Sequence, residues 1–396
     1  MNYHLGMKIY IDNTITSVSP FNTGIQRTVR NIISESINDD ANTFSLIDLN
    51  DINQTKQHKP LFRIPHFISH SYAVILNKIG LYQFLMECFF KYQCIKFFNE
   101  NTIKGNYYLN IDANWSETNI YFMKVFRKKG GRVISLYYDN GPFIYPQYFK
   151  KDLVSTFQKH WYKAVIHSDK IICISKTISD ELKNYVSKNR NKFLSNTIPD
   201  IDYIHLGNDF KESNHKLLFN VNSIKGNKNY LVVGSIEPRK NNLLILNTFN
   251  KLLRNNKIKE NVNLIFIYNN SWLQDELLES IKSSAFFNKN IFLYNDINDR
   301  ELVYLYKTSY ALVNASYYEG YGLAIAEALE FKLKVFCSDI KTYRELYNDN
   351  AVFFNNLIES DLGKKIYFDL KSPYKVKEAK LVTWKTAFTD LINKIK

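Results

Sequence analysis

The sequence predicts an α/β protein of two doubly wound domains, each built on a parallel sheet with helices on both faces. Three observations lead there. The chain has 396 residues, too many for one ordinary core and enough for two domains of roughly 150 to 200 residues each. Short β-branched or aromatic runs alternate with longer segments of helical period, the pattern of repeated βα units. That alternation stops near the middle of the chain and then restarts.

In the first half, MKIYID (7–12), NYYLNID (106–112), RVISLYYD (132–139), KIICIS (170–175) and IDYIHLG (201–207) read as buried strands ending in polar or glycine-containing turns. Helices lie between several of them. TGIQRTVRNIISESI sets Ile25, Val29, Ile32 and Ile33 at helical spacing, and SKTISDELKNYV opens on a serine suited to an N-cap. The segment 66–98 breaks the rhythm, being dense in aromatic and aliphatic residues with Lys78, Lys91 and Lys96 among them. It is expected to form one or two amphipathic helices that either cover the N-terminal sheet or meet an acceptor or a bilayer surface.

The Lys- and Asn-rich stretch 208–229 is the linker candidate, and after it the pattern restarts. YLVVGS (230–235), VNLIFIY (262–268), NIFLYND (290–296), YALVNAS (310–316), LKVFCSD (333–339) and AVFF (351–354) are the second set of strands. The expected domains are 1–210 and 211–379, with a helix over 380–396 packing back on the first.

Lys and Arg number 52 against 38 Asp and Glu, a formal charge of +14, which calls for a polyanionic partner. Nucleic acid, anionic lipid and nucleotide diphosphates all qualify. Nothing resembles a zinc finger, an RNA-recognition signature or a basic region with heptads, so nucleic acid is not expected. Cys88, Cys94, Cys173 and Cys337 form no C-x-x-C pair, which argues against a zinc site or a disulfide framework and for a reducing cytoplasm. The start, MNYHLGMKIYID, lacks a signal pattern, and no run approaches about 18 apolar residues. The expectation is a protein neither secreted nor membrane-spanning.

Two stretches carry chemistry. In YYEGYGLAIAEALEFK (317–332), a strand leads through a Gly-Tyr-Gly turn into a helix. Ligands of parallel sheets bind beyond the strands' carboxyl ends, where helix N-termini present free N–H groups. Gly320 and Gly322 would let the backbone approach such a ligand, and Glu327, about one turn into the helix, could accept bonds from vicinal sugar hydroxyls. Helix capping is the alternative for Glu319. In VVGSIEPRKNN (232–242), Arg239 and Lys240 follow a Gly-Ser turn at a strand's end, where paired cations would neutralise a diphosphate.

Together these pieces resemble the retaining family 4 glycosyltransferases, whose fold is GT-B: two Rossmann-like domains facing a central cleft. The resemblance covers most of the chain. It rests on the Glu-x7-Glu pair Glu319 and Glu327, on VGSIEPRKN, and on TGIQRTVRNI, YYDNGPFIYPQYF, ICISKTISDEL and IHLGND in the family's order. Its implications are a nucleotide-sugar donor, no cofactor and no metal. Glu327 would bind the donor ribose and Glu319 the donor sugar. Arg239 and Lys240 would hold the diphosphate, with Ser235, Gly24 and the backbone of Gly320, Tyr321, Gly322 and Leu323. Asp139 and Tyr138 would face the reaction centre, Tyr138 standing where many members have His. Lys332 and Lys334 replace a usual Gly and Pro, so the loop there is expected to be positioned differently. The implied activity is hexosyl transfer, with mannose from GDP-mannose as the leading donor, to a lipid-linked or oligosaccharide acceptor in O-antigen or capsule assembly. The implied location is cytoplasmic, peripheral on the anionic inner membrane face. A nucleotide-sugar epimerase or a non-catalytic scaffold of the same fold is the alternative.

Overall fold

The computed structural model describes residues 7–19, 23–49, 81–193, 198–209, 224–268, 275–295, 297–375 and 377–396, without the side chains of 81–90. The first sheet contains β1 (Lys8–Asp12), β2 (Thr43–Ile47), β3 (Tyr107–Asn110), β4 (Arg132–Tyr137), β5 (Lys170–Cys173) and β6 (Asp200–Tyr203). Its helices are α1 (Gly24–Ser36), α2 (Leu81–Glu100), α3 (Glu117–Lys128), the short α4 (Gly141–Ile144), α5 (Lys151–His167) and α6 (Lys176–Lys188). The second sheet contains β7 (Lys228–Val233), β8 (Val262–Tyr268), β9 (Ile291–Asn295), β10 (Ala311–Asn314), β11 (Lys334–Ser338) and β12 (Val352–Phe354). Around it lie α7 (Asn242–Arg254), α8 (Asp275–Lys282), α9 (Asp299–Thr308), α10 (Leu323–Glu330), α11 (Lys341–Tyr347) and α12 (Glu359–Lys371), and α13 (Trp384–Ile395) ends the chain.

Both sheets are parallel throughout, in the orders β2-β1-β3-β4-β5-β6 and β12-β11-β10-β7-β8-β9. The direction of winding reverses between β1 and β3 in the first and between β7 and β10 in the second. The loops after those strands diverge at the reversal and leave a crevice beyond the carboxyl ends. Strand β2 carries no signal in the sequence reading because TFSLI is an edge strand whose side chains are mostly accessible. Most of the predicted linker, 210–223, lies outside the described residues, and β7 begins at Lys228, inside the predicted far end.

Part of the 66–98 segment, Lys78 included, lies outside the described residues. Helix α2 buries Cys94 and Phe98 in the same apolar cluster as Tyr108, Phe122 and Phe126, so it covers the first sheet while Lys91, Tyr92 and Ile95 stay exposed. Helix α13 crosses back onto the first sheet's side. The Trp384 amide donates to Asp209 at 2.5 Å, Lys394 donates to Asp202 at 3.1 Å, and the Phe388 ring lies 5.7 Å from that of Phe44. At Lys332 the backbone adopts φ 56°, the left-handed conformation that glycine takes without strain, and Lys334 reaches the buried Asp369 at 2.6 Å.

The two sheets' carboxyl ends are held together by specific polar contacts. Glu345 of α11 accepts from the amides of Lys176 at 2.8 Å and Thr177 at 2.6 Å, and from the Thr177 hydroxyl at 2.5 Å. It thus satisfies the first amides of α6, a helix of the other sheet. The Tyr318 hydroxyl receives the Asn140 amide and donates to Glu181, both at 2.9 Å, while the Tyr321 hydroxyl donates to the Leu206 carbonyl at 2.8 Å. Replacing Glu345 by Ala should strip α6 of these acceptors, costing about 1 to 3 kcal/mol. Hydrogen exchange at the Lys176 and Thr177 amides should accelerate, with β7 to β12 unaffected. Unchanged protection there would show that Glu345 does not hold the two sheets together.

Candidate active site

The loops after β7 and β10 meet at the reversal point of the second sheet, and each delivers charged groups to it. After β7, the chain turns at Gly234 and Ser235 into a single 3-10 turn, Pro238–Lys240, that presents Arg239 and Lys240. After β10, residues 315–322 carry Glu319 beneath them. Arg239 donates to Glu319 at 2.7 Å, to Glu237 at 2.7 Å and to the Tyr318 carbonyl at 2.8 Å. Lys240 pairs with the other Glu319 oxygen, which also accepts from Ser316 at 3.2 Å. Glu319 is only 8% exposed. Burial alone would push its carboxyl up, but Arg239 and Lys240 outweigh that and hold it down at about 2. It therefore serves as the counter-ion of both cations and does not cap a helix, since the N-cap of α10 is Gly322.

Gly322 occupies φ 85°, and a Cβ there would lie 2.6 Å from the Tyr343 ring. The helix it opens has no side-chain cap, and Leu323 and Ala324 at its start line the cleft. Gly320 also meets a demand that the sequence did not reveal. A Cβ at Gly320 would collide with the Tyr138 carbonyl oxygen and lie 3.1 Å from the Asp139 Cβ, so the absent side chain makes room for the opposite sheet's β4 loop. The Gly320 carbonyl accepts from Ser175 at 3.0 Å, tightening the same junction.

Glu327, 4% exposed, is likewise committed. It pairs with Arg27 of α1 and accepts from the Tyr306 hydroxyl at 3.0 Å. Arg27 also reaches Asp299 at 3.3 Å. Burial tends to lower the Arg27 guanidinium, but Glu327 and Asp299 raise it above its ordinary value.

All twelve residues predicted from sequence line one cleft between the sheets, with a volume of about 2000 Å³ including its open mouth. Glu319, Arg239, Lys240 and Asp139 sit together. Glu327, Leu323 and Gly24 lie toward α1, where a Cβ on Gly24 would touch Leu323 at 3.5 Å. Ser235 donates to Glu237 at 2.9 Å. The Tyr138 hydroxyl donates to the Ile111 carbonyl at 2.6 Å, and the Tyr321 hydroxyl serves the contact to Leu206, so neither hydroxyl is presented to the cleft. Asp139 accepts from the Gly141 amide at 2.8 Å. Burial raises its carboxyl more than Arg239 and that amide lower it.

Arg27, Glu237, Asp299 and Tyr306 were missed by sequence reasoning. Arg27 and Glu237 stand inside quoted motifs, TGIQR and SIEPR, where charge next to an apolar periodicity was the available signal. Asp299 and Tyr306 carry none, because α9 brings them in from a different part of the chain.

The depressed Glu319 carboxyl makes a signed prediction. Its contribution to stability is complete above its ordinary value of 4.5 and is lost as pH falls from there toward about 2. Between pH 6 and pH 3, the unfolding free energy of the wild type from urea titration should fall more steeply than that of Glu319→Gln, by up to about 1.4 kcal/mol per pH unit. Parallel slopes would contradict the ion pairing.

Comparison with known proteins agrees with this architecture. Residues 214–376 match the family described as Glycosyl transferases group 1. The chain is similar to the serotype-specific mannosyltransferase WbdA of Escherichia coli, 30% identical over 208 residues, which is half of this chain and 25% of that protein. It thus spans about a quarter of the length of that curated relative. It is also similar to the O-antigen chain mannosyltransferase B of Escherichia coli, 22% identical over 275 residues, covering 67% of this chain and 70% of that one. Among solved structures, sucrose-phosphate synthase from Thermosynechococcus elongatus superposes with a TM-score of 0.64 at 14% identity over 98% of both chains. The fold is GT-B, two Rossmann-like domains facing a central cleft, and its second sheet lies within the region matched by Glycosyl transferases group 1.

Proposed function

We propose that the protein is a retaining, metal-independent hexosyltransferase. It takes a nucleotide-sugar donor, with GDP-mannose the leading candidate, and extends a lipid-linked or oligosaccharide acceptor in O-antigen or capsule assembly. The observation that carries this reading is the Glu319–Arg239–Lys240 cluster beside the uncapped start of α10, with Glu327 four residues further along the same helix. The similarity to two mannosyltransferases supports the choice of sugar.

The chemistry follows from charge. Cleavage of the anomeric C–O bond sends its electron pair to the departing nucleoside diphosphate and leaves an oxocarbenium-like sugar. Arg239, Lys240 and the first amides of α10 stabilise that anion. Glu319, released from its pairing as phosphate takes its place, is positioned to contact the donor sugar. The acceptor oxygen bonds the anomeric carbon on the face the diphosphate leaves, and its proton passes to the departing phosphate oxygen. Asp139 orients that acceptor. Glu327 holds the ribose, exchanging its bond with Arg27 for bonds from the sugar hydroxyls. The fixed cations supply the charge that a divalent metal would otherwise bring.

The acceptor's lipid carrier would bring the enzyme to an anionic surface, and the exposed Lys91, Tyr92 and Ile95 of α2 are suited to meet it. No described helix is long and apolar enough to cross a membrane. Vesicle co-sedimentation should require anionic lipid, fall with salt over a Debye length of about 8 to 10 Å, and weaken in Lys91→Glu/Lys96→Glu. Equal recovery on neutral vesicles would contradict electrostatic attachment.

Donor turnover tests the reaction itself. Glu327→Ala should weaken nucleotide-sugar binding by about 1 to 3 kcal/mol. Lys240→Ala should lower kcat more than it raises the donor KM, because leaving-group charge grows toward the transition state. Activity should persist in chelator. Loss in chelator with recovery on adding Mn²⁺, or full activity in both variants, would overturn the mechanism.

A further inference from the structure

The cleft has an apolar end that the donor chemistry leaves unused. Trp115 follows β3 at the reversal point of the first sheet, and Phe149, Leu153 and Phe157 follow β4 along the adjoining loop and α5. The Trp115 and Phe157 rings meet edge to face at 5.1 Å. Phe157 is buried behind, while Trp115, Phe149 and Leu153 are half-buried and open to the cleft. Asp139 stands at the inner edge of this wall. Both it and Phe149 crowd Gly141, where a Cβ would lie 2.6 Å from the Phe149 ring and 2.9 Å from the Asp139 Oδ1. The second Asp139 oxygen has no hydrogen-bond partner among the described residues.

The charge around this end is one-sided. The cationic side chains lining the described cleft are Arg27, Arg239 and Lys240, all contributed from the donor-facing end. The nearer charges are carboxylates, Asp139 and Asp112. Asp112 is fully engaged, accepting from the amides of Ile15, Thr16 and Ala113 and the hydroxyl of Thr16. A phosphate seated here would therefore meet two carboxylates, and the cation whose field reaches Asp139, Arg239, is already paired with Glu319 and Glu237. A pyranose has two unlike surfaces, a rim of hydroxyls and a C–H face that buries apolar area. The wall offers aromatic area for the second and one carboxylate oxygen for the first.

We propose that the wall of Trp115, Phe149, Leu153 and Phe157 seats an uncharged pyranose, the non-reducing end of the acceptor, stacked by its C–H face with a hydroxyl at Asp139. This rests on the glycosyltransferase reading and narrows it: the enzyme extends an existing saccharide and does not add to a sugar that itself bears phosphate.

Saturation-transfer NMR on the purified chain tests it with neutral methyl disaccharides of several hexoses and with the matching hexose 1-phosphates. At least one neutral disaccharide should bind, with saturation strongest on the ring C–H of its non-reducing end, and the 1-phosphates should bind at least tenfold more weakly. Trp115→Ala and Phe149→Ala should each weaken the neutral sugar at least tenfold, and Trp115→Phe should stay within about threefold of wild type. Thermal stabilisation by nucleoside diphosphate should be unchanged in these variants, which shows that they are folded. Equal or tighter binding of a 1-phosphate, no binding of any neutral disaccharide, or unchanged binding in both alanine variants would overturn the seat. Normal saccharide binding without nucleotide stabilisation would instead count against the donor site alone.

Discussion

The close approach of Gly320 to the Tyr138 carbonyl is the constraint on which the site depends. Any side chain at Gly320 would push the loop after β10 away from the loop after β4. With that contact made, Tyr318 reaches Asn140 and Glu181, Ser175 reaches the Gly320 carbonyl, and Glu345 reaches the start of α6. The same contact brings Asp139 into the field of Arg239, which joins the two halves of the candidate site electrostatically. The cleft is thus defined by backbone proximity first and by charge second.

The cleft is not where the positive charge gathers. Its described lining has three cations, Arg27, Arg239 and Lys240, against six carboxyl groups, with Arg239 and Lys240 paired to Glu319 and Glu237 and Arg27 to Glu327, so the excess of +14 resides elsewhere on the chain. Buried ion pairs of this kind add little net stability, because desolvation offsets most of the Coulomb attraction. Their value here is positional. Each holds in place a cation or a carboxylate that the proposed donor would use, and each could be exchanged for ligand contacts of similar charge at low cost. A diphosphate would substitute for Glu319 at Lys240 without leaving a buried charge alone, since Glu319 can turn to sugar hydroxyls.

Much of the fold was legible because both sheets are parallel and buried, so their strands appear as apolar runs and their crossovers as helical periods. Strand β2 was not, since an accessible edge strand lacks that contrast. The Glu319–Arg239–Lys240 cluster was legible from two local motifs that lie at adjacent strand ends. The partners that bridge the cleft were not. Arg27 sits in a helix of one sheet and Glu327 in a helix of the other, and Glu345 caps a helix far earlier in the chain. The second demand on Gly320 was hidden for the same reason, because the backbone that a side chain there would strike comes from the other domain.

On the proposed function, one cleft holds a nucleoside diphosphate across Arg239, Lys240 and Glu327. A crystal structure of the chain with a nucleoside diphosphate tests it most directly. The diphosphate should lie within hydrogen-bond distance of Arg239, Lys240 and the first amides of α10, with the ribose hydroxyls on Glu327 and the Arg27–Glu327 bond replaced or shared. A nucleotide bound elsewhere, or one in this cleft whose ribose avoids Glu327 while its phosphates avoid Lys240, would contradict it.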